Sequence, residues 1–441
     1  MSDTTDQGSI RKFLVIWFGQ LISLVGSGMT SFALGIWVYE RTGSITRFAL
    51  ISVCVMLPGI VISPLAGVLV DRLNRRAVMM LSDMGAGFSS LTLAVLFFTG
   101  QLTIWEIYIL VSVSSIAGAF RMPAYMALLS QLVPMKQIGR ASGMMQLAPA
   151  AAQVLSPILA ASLLGPIKFQ GIIAIDFTTF LFAIGTLFLI SVPTLPAKGP
   201  KRPILKEAYD GWIYIMERPG LVGLLLFFAS INITYSFAQV LFTPMILSFA
   251  STAVLGTIMS IGALGFLSGS LVMSTWGGPE RRIHGVLGFA VLYGIGLILG
   301  GLQASALLIT ISIFIIVFQV PIINGCSQAI WQTKVPPEMQ GRVFSTRMMI
   351  AWSSAPLAFL LAGPLADHVF EPMFLGHGYM ESIGLTSIIG AGPGRGAAFM
   401  LILSGILALL ITVGCYFNRH LRKVEDELPD AFPIRQATTA T

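Results

Sequence analysis

Three ionisable side chains stand inside long apolar stretches of the sequence. Asp83 and Asp176 are carboxylates that could bind and release a proton. Arg121 could take part in the same proton coupling or bind a charged substrate, and the second role considered for Asp83 is that of partner to Arg121. The alternative for Arg121 is a long side chain that reaches the aqueous boundary. For Asp83 it is a structural hydrogen bond, and for Asp176, as for Glu106, the sequence favours a position at the boundary. Asp83, Arg121 and Asp176 are the candidates for proton coupling or substrate binding.

Amide side chains also interrupt the apolar segments. Each could contact a substrate or hydrogen-bond one helix to another. A mostly apolar cavity with amides and few charges would suit a large amphipathic ligand that is neutral or weakly charged. The candidates are Gln20, Gln146, Gln153, Asn232, Gln239, Gln319, Asn324 and Gln328.

The sequence contains no recognisable catalytic constellation. None of the four histidines lies beside a cysteine or an acidic pair with metal-ligand spacing, and no phosphate-binding loop motif occurs. The three cysteines, Cys54, Cys326 and Cys415, all lie in apolar segments and suggest buried small hydrophobes. We therefore expect no enzymatic activity, no cofactor and no metal site.

The composition is that of a polytopic membrane protein. The chain has 441 residues, of which 55% are hydrophobic and only 10% are charged, whereas soluble domains carry about 25% charged residues. The first apolar stretch, 13–38, is too long for the apolar core of a signal peptide and reads as a retained span.

Twelve apolar segments are long enough to cross a membrane as helices, which requires about 20 residues each. The predicted fold is therefore all-α. The segments are 13–38, 47–70, 77–99, 104–130, 141–163, 170–192, 220–248, 252–275, 284–302, 304–331, 343–367 and 396–418.

The distribution of Lys and Arg predicts the orientation. If the N-terminus is cytoplasmic, most of the 26 basic residues fall in cytoplasmic segments, and the outer segments hold only Arg41, Arg47, Lys168 and Arg395. Cytoplasmic loops are enriched in basic residues, so both termini are expected inside the cell. The net charge of +7 is then a signal of topology, and nucleic acid is not an expected partner.

The chain also repeats itself. A displacement of 202 residues places Gly67 on Gly269, and it brings the Val-Pro-x4-Gly-Arg turn that begins at Val133 onto the turn that begins at Val335. We expect a six-helix bundle at 1–192, a cytoplasmic linker at 193–219, a second six-helix bundle at 220–418 and a cytoplasmic tail at 419–441. Part of the linker, 205–216, could form an amphipathic helix on the membrane surface.

The densest cluster of charges joins the second and third segments, where Gly67 precedes a short charged turn. This turn resembles the cytoplasmic loop signature of the major facilitator superfamily, and the six-plus-six layout agrees with it. One departure is Asn74, where the signature usually has Gly. The charges of the turn are Asp71, Arg72, Arg75 and Arg76.

Within the superfamily, the chain resembles the macrolide-efflux and siderophore-export branch of drug:proton antiporters. The matching stretches are 37–44, 81–83, 123–124, 370–373 and 392–396. The resemblance implies a monomeric efflux transporter of the plasma membrane. It would exchange protons for a hydrophobic or amphipathic small molecule by alternating access, in contact with membrane lipid. A lipid or lysophospholipid flippase and a nutrient importer are the alternatives.

The resemblance also implies a conformational gate. Asp71 would face the start of the eleventh helix at Gly341-Arg342, where a helix N-terminus and a guanidinium both favour a carboxylate. The second half has Met273 and Ser274 at the positions of Asp71 and Arg72. The expected gate consists of Gly67, Asp71, Arg72, Arg75, Arg76, Gly341 and Arg342.

Overall fold

The computed structural model describes residues 10–72, 74–133, 138–189, 204–374 and 384–429. Within these ranges every regular element is a helix, as the sequence predicts. The first eleven are α1 (Ile10–Thr42), α2 (Ile45–Arg72), α3 (Arg75–Phe98), α4 (Ile104–Leu132), α5 (Ile138–Leu189), α6 (Ile204–Met216), α7 (Pro219–Leu247), α8 (Thr252–Trp276), α9 (Arg282–Leu302), α10 (Ala306–Lys334) and α11 (Pro337–Leu365). A π-helical turn (Ala366–Phe370) then leads into α12 (Glu371–Phe374), α13 (Thr386–Ile389), α14 (Arg395–Phe417), α15 (Arg419–Arg422) and α16 (Val424–Glu427).

The number of membrane-length segments depends on a kink in α5. Among the described residues, eleven helices are long and apolar enough to cross a membrane. The helix α5 has 52 residues and is interrupted at Lys168, whose φ of 56° and ψ of −176° are not helical. Pro166 lies two residues earlier and cannot donate to the helical hydrogen-bond ladder. The kink divides α5 into two membrane-length segments, so the described chain holds the twelve spans that the sequence predicts.

The chain divides into two compact units, Met1–Pro200 with Ser251–Thr257, and Lys201–Ala250 with Ile258–Thr441. In the first unit, α1 packs along α5, and α4 packs against both α2 and α3. Gly26 allows the close approach of α1 to α5, because a Cβ atom at this position would lie 3.2 Å from the Cα atom of Asp176.

The second unit is built around α9, which packs against both α10 and α14, and around α7, which packs against α11 and α14. Its core includes the fully buried Trp331 and Phe227. The backbones of α9 and α14 nearly touch, since a Cβ atom at Gly405 would lie 2.7 Å from the carbonyl oxygen of Gly294.

The predicted helix of the linker is present as α6, and it packs against α11 of its own unit. The Tyr214 hydroxyl donates to the carbonyl oxygen of Lys334 at 3.0 Å. The opposite side of α6 exposes Tyr209, Trp212 and Met216. The location of this helix on a membrane surface stays a prediction.

The eleventh span continues further than the sequence predicts. Asp367 was expected at the end of this span, but it lies in the π-helical turn and the helix continues through α12 to Phe374. The reason is a capping contact: the Glu371 carboxylate accepts hydrogen bonds from the backbone N–H groups of Gly394 at 3.1 Å and Ala397 at 3.0 Å. Glu371 thereby satisfies the free donors at the start of α14.

The beginning of the predicted tail is folded onto the second unit. The Glu425 carboxylate accepts hydrogen bonds from the backbone N–H groups of Arg282 at 3.1 Å and Ile283 at 2.9 Å, and so caps α9. The Lys334 ammonium donates to the carbonyl oxygens of Glu425 at 2.5 Å and Leu428 at 2.6 Å. Residues 419–428 are therefore part of the folded unit.

Candidate functional site

The first unit contains a cavity of about 320 Å³ between α1, α2, α3, α4 and α5. This volume is near the lower limit of small-molecule pockets, which span about 300–1,000 Å³. Most of the lining is aliphatic side chains and serines. The polar groups with possible roles in binding are Gln20, Ser27, Ser90, Arg121, Tyr125 and Asp176.

One polar cluster joins α1, α3 and α4. Asp83 is 3% exposed, and its Oδ1 atom lies 3.1 Å from Nε of Arg121. Its Oδ2 atom accepts a hydrogen bond from the Gln20 amide at 2.8 Å. The Asp83 carboxylate does not line the cavity itself, whereas Gln20 and Arg121 do. The buried charge of Asp83 is thus balanced by a guanidinium that faces the cavity.

A second polar cluster joins α1, α3 and the second half of α5. Asp176 is 1% exposed; its Oδ1 atom accepts from the Ser27 hydroxyl at 3.0 Å, and its Oδ2 atom accepts from the Ser90 hydroxyl at 2.7 Å. No described Lys or Arg forms an ion pair with Asp176. The described hydrogen-bond donors of this carboxylate are therefore hydroxyl groups at the wall of the cavity.

The two clusters lie at two levels of the same pair of helices. Gln20 and Ser27 are seven residues apart on α1, and Asp83 and Ser90 are seven residues apart on α3. Seven residues make about two helical turns, so each pair shares one helix face with a separation of about 10 Å. Ser27 and Ser90, the partners of Asp176, were not among the predicted site residues. The matched spacing of seven residues on α1 and α3 is the sequence signal that could have indicated them.

Several buried polar atoms around the first cluster remain available. Among the described residues, Gln20 Oε1, Arg121 Nε and the Tyr125 hydroxyl lack a hydrogen-bond partner. Arg121 Nε is within ion-pair distance of Asp83, but its N–H does not meet hydrogen-bond geometry with that carboxylate. Tyr125 stacks on Phe13, with 6.2 Å between ring centroids, which fixes its hydroxyl next to the cavity. Water or a ligand is needed to satisfy these groups.

The three ionisable candidates therefore line or border one cavity. The pairing of Asp83 with Arg121, one of the two roles considered for Asp83, is present. The boundary position favoured for Asp176 was wrong. The helix α5 turns this residue inward against α1 and α3, where two serine hydroxyls replace water. Glu106 does lie near a helix start, where its carboxylate accepts from the backbone N–H of Thr103 at 2.7 Å.

The amide candidates do not form one site. The side chain of Gln146 lies outside the described residues. Asn232 donates to the carbonyl oxygen of Ala351 at 3.1 Å and so joins α7 to α11. Gln319 donates to the carbonyl oxygen of Ile316 at 3.1 Å, within its own helix α10. Gln328 accepts a hydrogen bond from Arg347 at 3.1 Å. The remaining three are exposed: Gln153, Gln239 and Asn324.

Most of the expected gate falls outside the described side chains. This applies to Gly67, Asp71, Arg72, Arg75, Arg76 and Gly341. Arg342 is described, and its guanidinium lies 3.2 Å from the Asp210 carboxylate of α6, a partner that the sequence did not suggest. The contact of Asp71 with the start of α11 stays a prediction.

Several solved structures have a helical fold similar to that of this chain. A bacterial homologue of the human lysosomal transporter Spinster, in an inward-facing and unoccupied conformation, matches with a TM-score of 0.70 at 11% identity, over 95% of this chain and 98% of that one. The nucleoside transporter NupG matches with a TM-score of 0.69 at 11% identity, over 92% of this chain and 100% of that one. At these identities the likeness concerns the fold alone.

Several relatives by sequence are named as efflux proteins. Macrolide efflux protein A of Streptococcus pyogenes is 28% identical over 420 residues, which cover 94% of this chain and 97% of the relative. The multidrug efflux pump Tap of Mycolicibacterium fortuitum is 25% identical over 370 residues, which cover 80% of this chain and 89% of the relative.

The model of the Major Facilitator Superfamily matches residues 16–360, well over half of the chain. This match agrees with the resemblance of the charged turn, the twelve membrane-length segments and the helical fold. The chain is accordingly a multi-pass membrane transporter rather than an enzyme, and it belongs to the major facilitator superfamily.

Proposed function

We propose that this chain exports an amphipathic small molecule from the cell and couples the export to proton entry. The observation that carries the proposal is the cavity of the first unit, which combines an apolar wall with the Asp83–Arg121 pair and the separate carboxylate of Asp176. The names of the efflux relatives support the direction of transport.

The Asp83–Arg121 pair suits a proton-coupled step. While Asp83 is ionised, its attraction holds the guanidinium beside it. Protonation of Asp83 removes that attraction and leaves a cation that needs another anion or water. Binding of a proton to Asp83 would therefore free the Arg121 guanidinium to interact with an anion or water in the cavity. This change gives substrate and proton a physical means of influencing each other.

Asp176 suits the recognition of a positive group on the substrate. Its hydrogen bonds come from the Ser27 and Ser90 hydroxyls, which stabilise the carboxylate without neutralising it. A compound with a protonated amine and an apolar body would place the amine at Asp176 and the body against the aliphatic wall. A macrolide-like antibiotic, another natural product or a siderophore-like compound is the substrate class that we propose. Because the cavity of this unit is small, a compound of macrolide size would place only one part of itself here.

We propose the remaining features on the resemblance to the family. They are two six-helix bundles at 1–192 and 220–418, cytoplasmic termini, a plasma-membrane location, a monomeric state, contact with membrane lipid and a gate at Asp71 that closes on the start of α11.

The test is transport in a host that lacks its own drug pumps. Cells that express the chain should tolerate more of an amine-bearing macrolide and accumulate less of it, and a proton uncoupler should abolish the difference. In proteoliposomes, an imposed pH gradient should drive the macrolide, and addition of the macrolide should move protons in the opposite direction. Transport that is insensitive to both manipulations would contradict antiport. Translocation of a labelled lysophospholipid without a pH gradient would indicate the flippase instead.

A further inference from the structure

Arg347 is a second cation inside a membrane-length helix. It is the eleventh residue of α11, so it lies about 15 Å along the axis from the start of that helix. The eleventh predicted span, 343–367, contains it near its start. In the structure it is partly buried inside the second unit, where it reaches from α11 to α10.

All the contacts that the Arg347 guanidinium makes with described side chains are with neutral groups. Nη1 donates to Gln328 Oε1 at 3.1 Å, and Nη2 donates to Ser327 Oγ at 3.4 Å. The guanidinium carbon lies 5.2 Å from the centre of the Trp331 ring and 5.9 Å from the centre of the Phe228 ring. We call these five residues the Arg347 cluster.

Among the side chains that the structure describes, no acidic residue forms an ion pair with Arg347. The sequences of α7 and α10 contain no Asp or Glu. The helix α6 also packs against α11, and its residue Asp210 pairs with Arg342. Arg121 of the first unit, by contrast, has a carboxylate 3.1 Å away.

The cluster has more donors than acceptors. A guanidinium carries five N–H groups in a planar fork, and only two have described acceptors. The indole Nε1–H of Trp331 belongs to a fully buried side chain and also lacks a hydrogen-bond partner among the described residues. An oxyanion with two free oxygens on one centre, such as a carboxylate or a phosphate group, can accept two parallel bonds from a guanidinium, and it would supply the missing negative charge at the same time.

We propose that the Arg347 cluster is a binding site for an oxyanion, either a carboxylate or a phosphate group. The group could belong to a soluble anion or to the headgroup of an anionic phospholipid, since both present the same oxygen geometry to the guanidinium. Neutral Ser327 and Gln328 orient the fork, and the aromatic faces of Trp331 and Phe228 hold it in place without competing for the anion.

The experiment uses the full chain, purified in a neutral detergent and in lipid nanodiscs. Thermal unfolding is followed while sodium benzoate or sodium phosphate replaces sodium chloride at constant ionic strength. The lipid arm compares nanodiscs of phosphatidylcholine alone with nanodiscs that contain phosphatidylglycerol. We expect a saturable increase in the melting temperature in at least one arm, and the arm that responds identifies the source of the oxyanion.

The variants assign this response to the cluster. Arg347→Gln should remove the saturable increase, and Arg347→Lys should weaken it because a lysine lacks the planar fork. Trp331→Phe keeps an aromatic ring but removes the Nε1–H together with the five-membered ring of the indole. It should reduce the apparent affinity several-fold, and it provides a test if Arg347→Gln does not fold. Arg419→Gln removes an exposed cation of the same unit and should respond like the wild type. The absence of a saturable response in both arms, or an unchanged response in the Arg347 and Trp331 variants, would overturn the proposal.

Discussion

Arg121 Nε lies 3.1 Å from Asp83 Oδ1, and the two side chains are 16% and 3% exposed. They come from α4 and α3, two helices that are long and apolar enough to cross a membrane. Their contact explains how a chain with so few charges tolerates these two within its apolar segments. Each residue is the principal counter-charge of the other, and the guanidinium faces a cavity.

The first prediction concerns this pair. Asp83→Asn should reduce proton-driven transport of a macrolide by about tenfold or more, because an amide cannot carry the proton and leaves Arg121 uncompensated. Loss of one partner of a buried ion pair also destabilises a protein by about 3–5 kcal/mol. The measurements are transport in proteoliposomes under an imposed pH gradient and the melting temperature in detergent.

A double variant separates stability from coupling. Asp83→Asn combined with Arg121→Gln removes both charges, and it should regain thermal stability without regaining proton-driven transport. Glu40→Gln changes an exposed carboxylate of α1 and serves as the control. Full proton-driven transport by the double variant would rule out a coupling role for the pair.

The second prediction concerns Asp176. Asp176→Asn should raise the KM for an amine-bearing macrolide by about tenfold, which corresponds to about 1.4 kcal/mol of lost attraction. An uncharged amphiphile of similar size should be transported with nearly unchanged KM. Competition of both compounds with a radiolabelled substrate gives the two values. Equal losses for charged and uncharged compounds would contradict recognition of an amine.

The third prediction concerns the contact of α1 with α5. Gly26→Ala should destabilise the first unit by about 1–3 kcal/mol, because the added methyl group would collide with Thr179 and approach the Asp176 backbone. Gly185→Ala, on the partner helix α5, is the matched control, since nothing lies within 4 Å of a Cβ atom there. Melting temperatures of the two variants in the same detergent should differ, and identical values would show that α1 can move aside.

The fourth prediction concerns the cap of α14. Glu371→Gln keeps one acceptor oxygen but loses the charge that faces the helix N-terminus, so we expect a loss of about 0.5–2 kcal/mol. The exposed Glu280 provides the control Glu280→Gln. Thermal unfolding measures the loss. An unchanged melting temperature would mean that the backbone of residues 392–397 holds its turn without the carboxylate.

The fifth prediction follows from the sequence signature of the charged turn. Asp71→Asn should slow turnover while expression stays near the wild-type level, because the expected role of this carboxylate is to stabilise one conformation of the transporter. Counterflow exchange and a cysteine-accessibility assay would report rate and conformation separately. Loss of expression would instead assign Asp71 to folding.

The helical architecture could be predicted because it depends on local composition. A segment of about 20 apolar residues has few alternatives to a membrane helix, since every backbone polar group must be satisfied within the segment. The signal is weaker where a helix boundary depends on a single contact. The extension of the eleventh span through α12 depends on Glu371, which caps a helix that starts more than 20 residues later.

The pairing of side chains was less predictable. The position of Asp83 and Arg121 in apolar segments already required a partner for each, and pairing with Arg121 was one of the two roles considered for Asp83. The inward position of Asp176 was not predicted, because the direction of its side chain depends on the kink at Lys168 and on the serines of two other helices. The contacts of Arg347 with α10 were not predicted either, since the sequence alone does not tell which side chains meet a basic residue inside a helix.

The sequence by itself determined the class of protein, the twelve spans and the family, because hydrophobic length and a charged turn are local properties of the chain. Only the tertiary structure decided which polar groups meet. It joined Gln20, Asp83 and Arg121 at one level and Ser27, Ser90 and Asp176 at another, and it left Arg347 with neutral partners. The physical reason is that the cost of a buried charge depends on the side chains that packing brings around it, and these come from helices far apart in the chain.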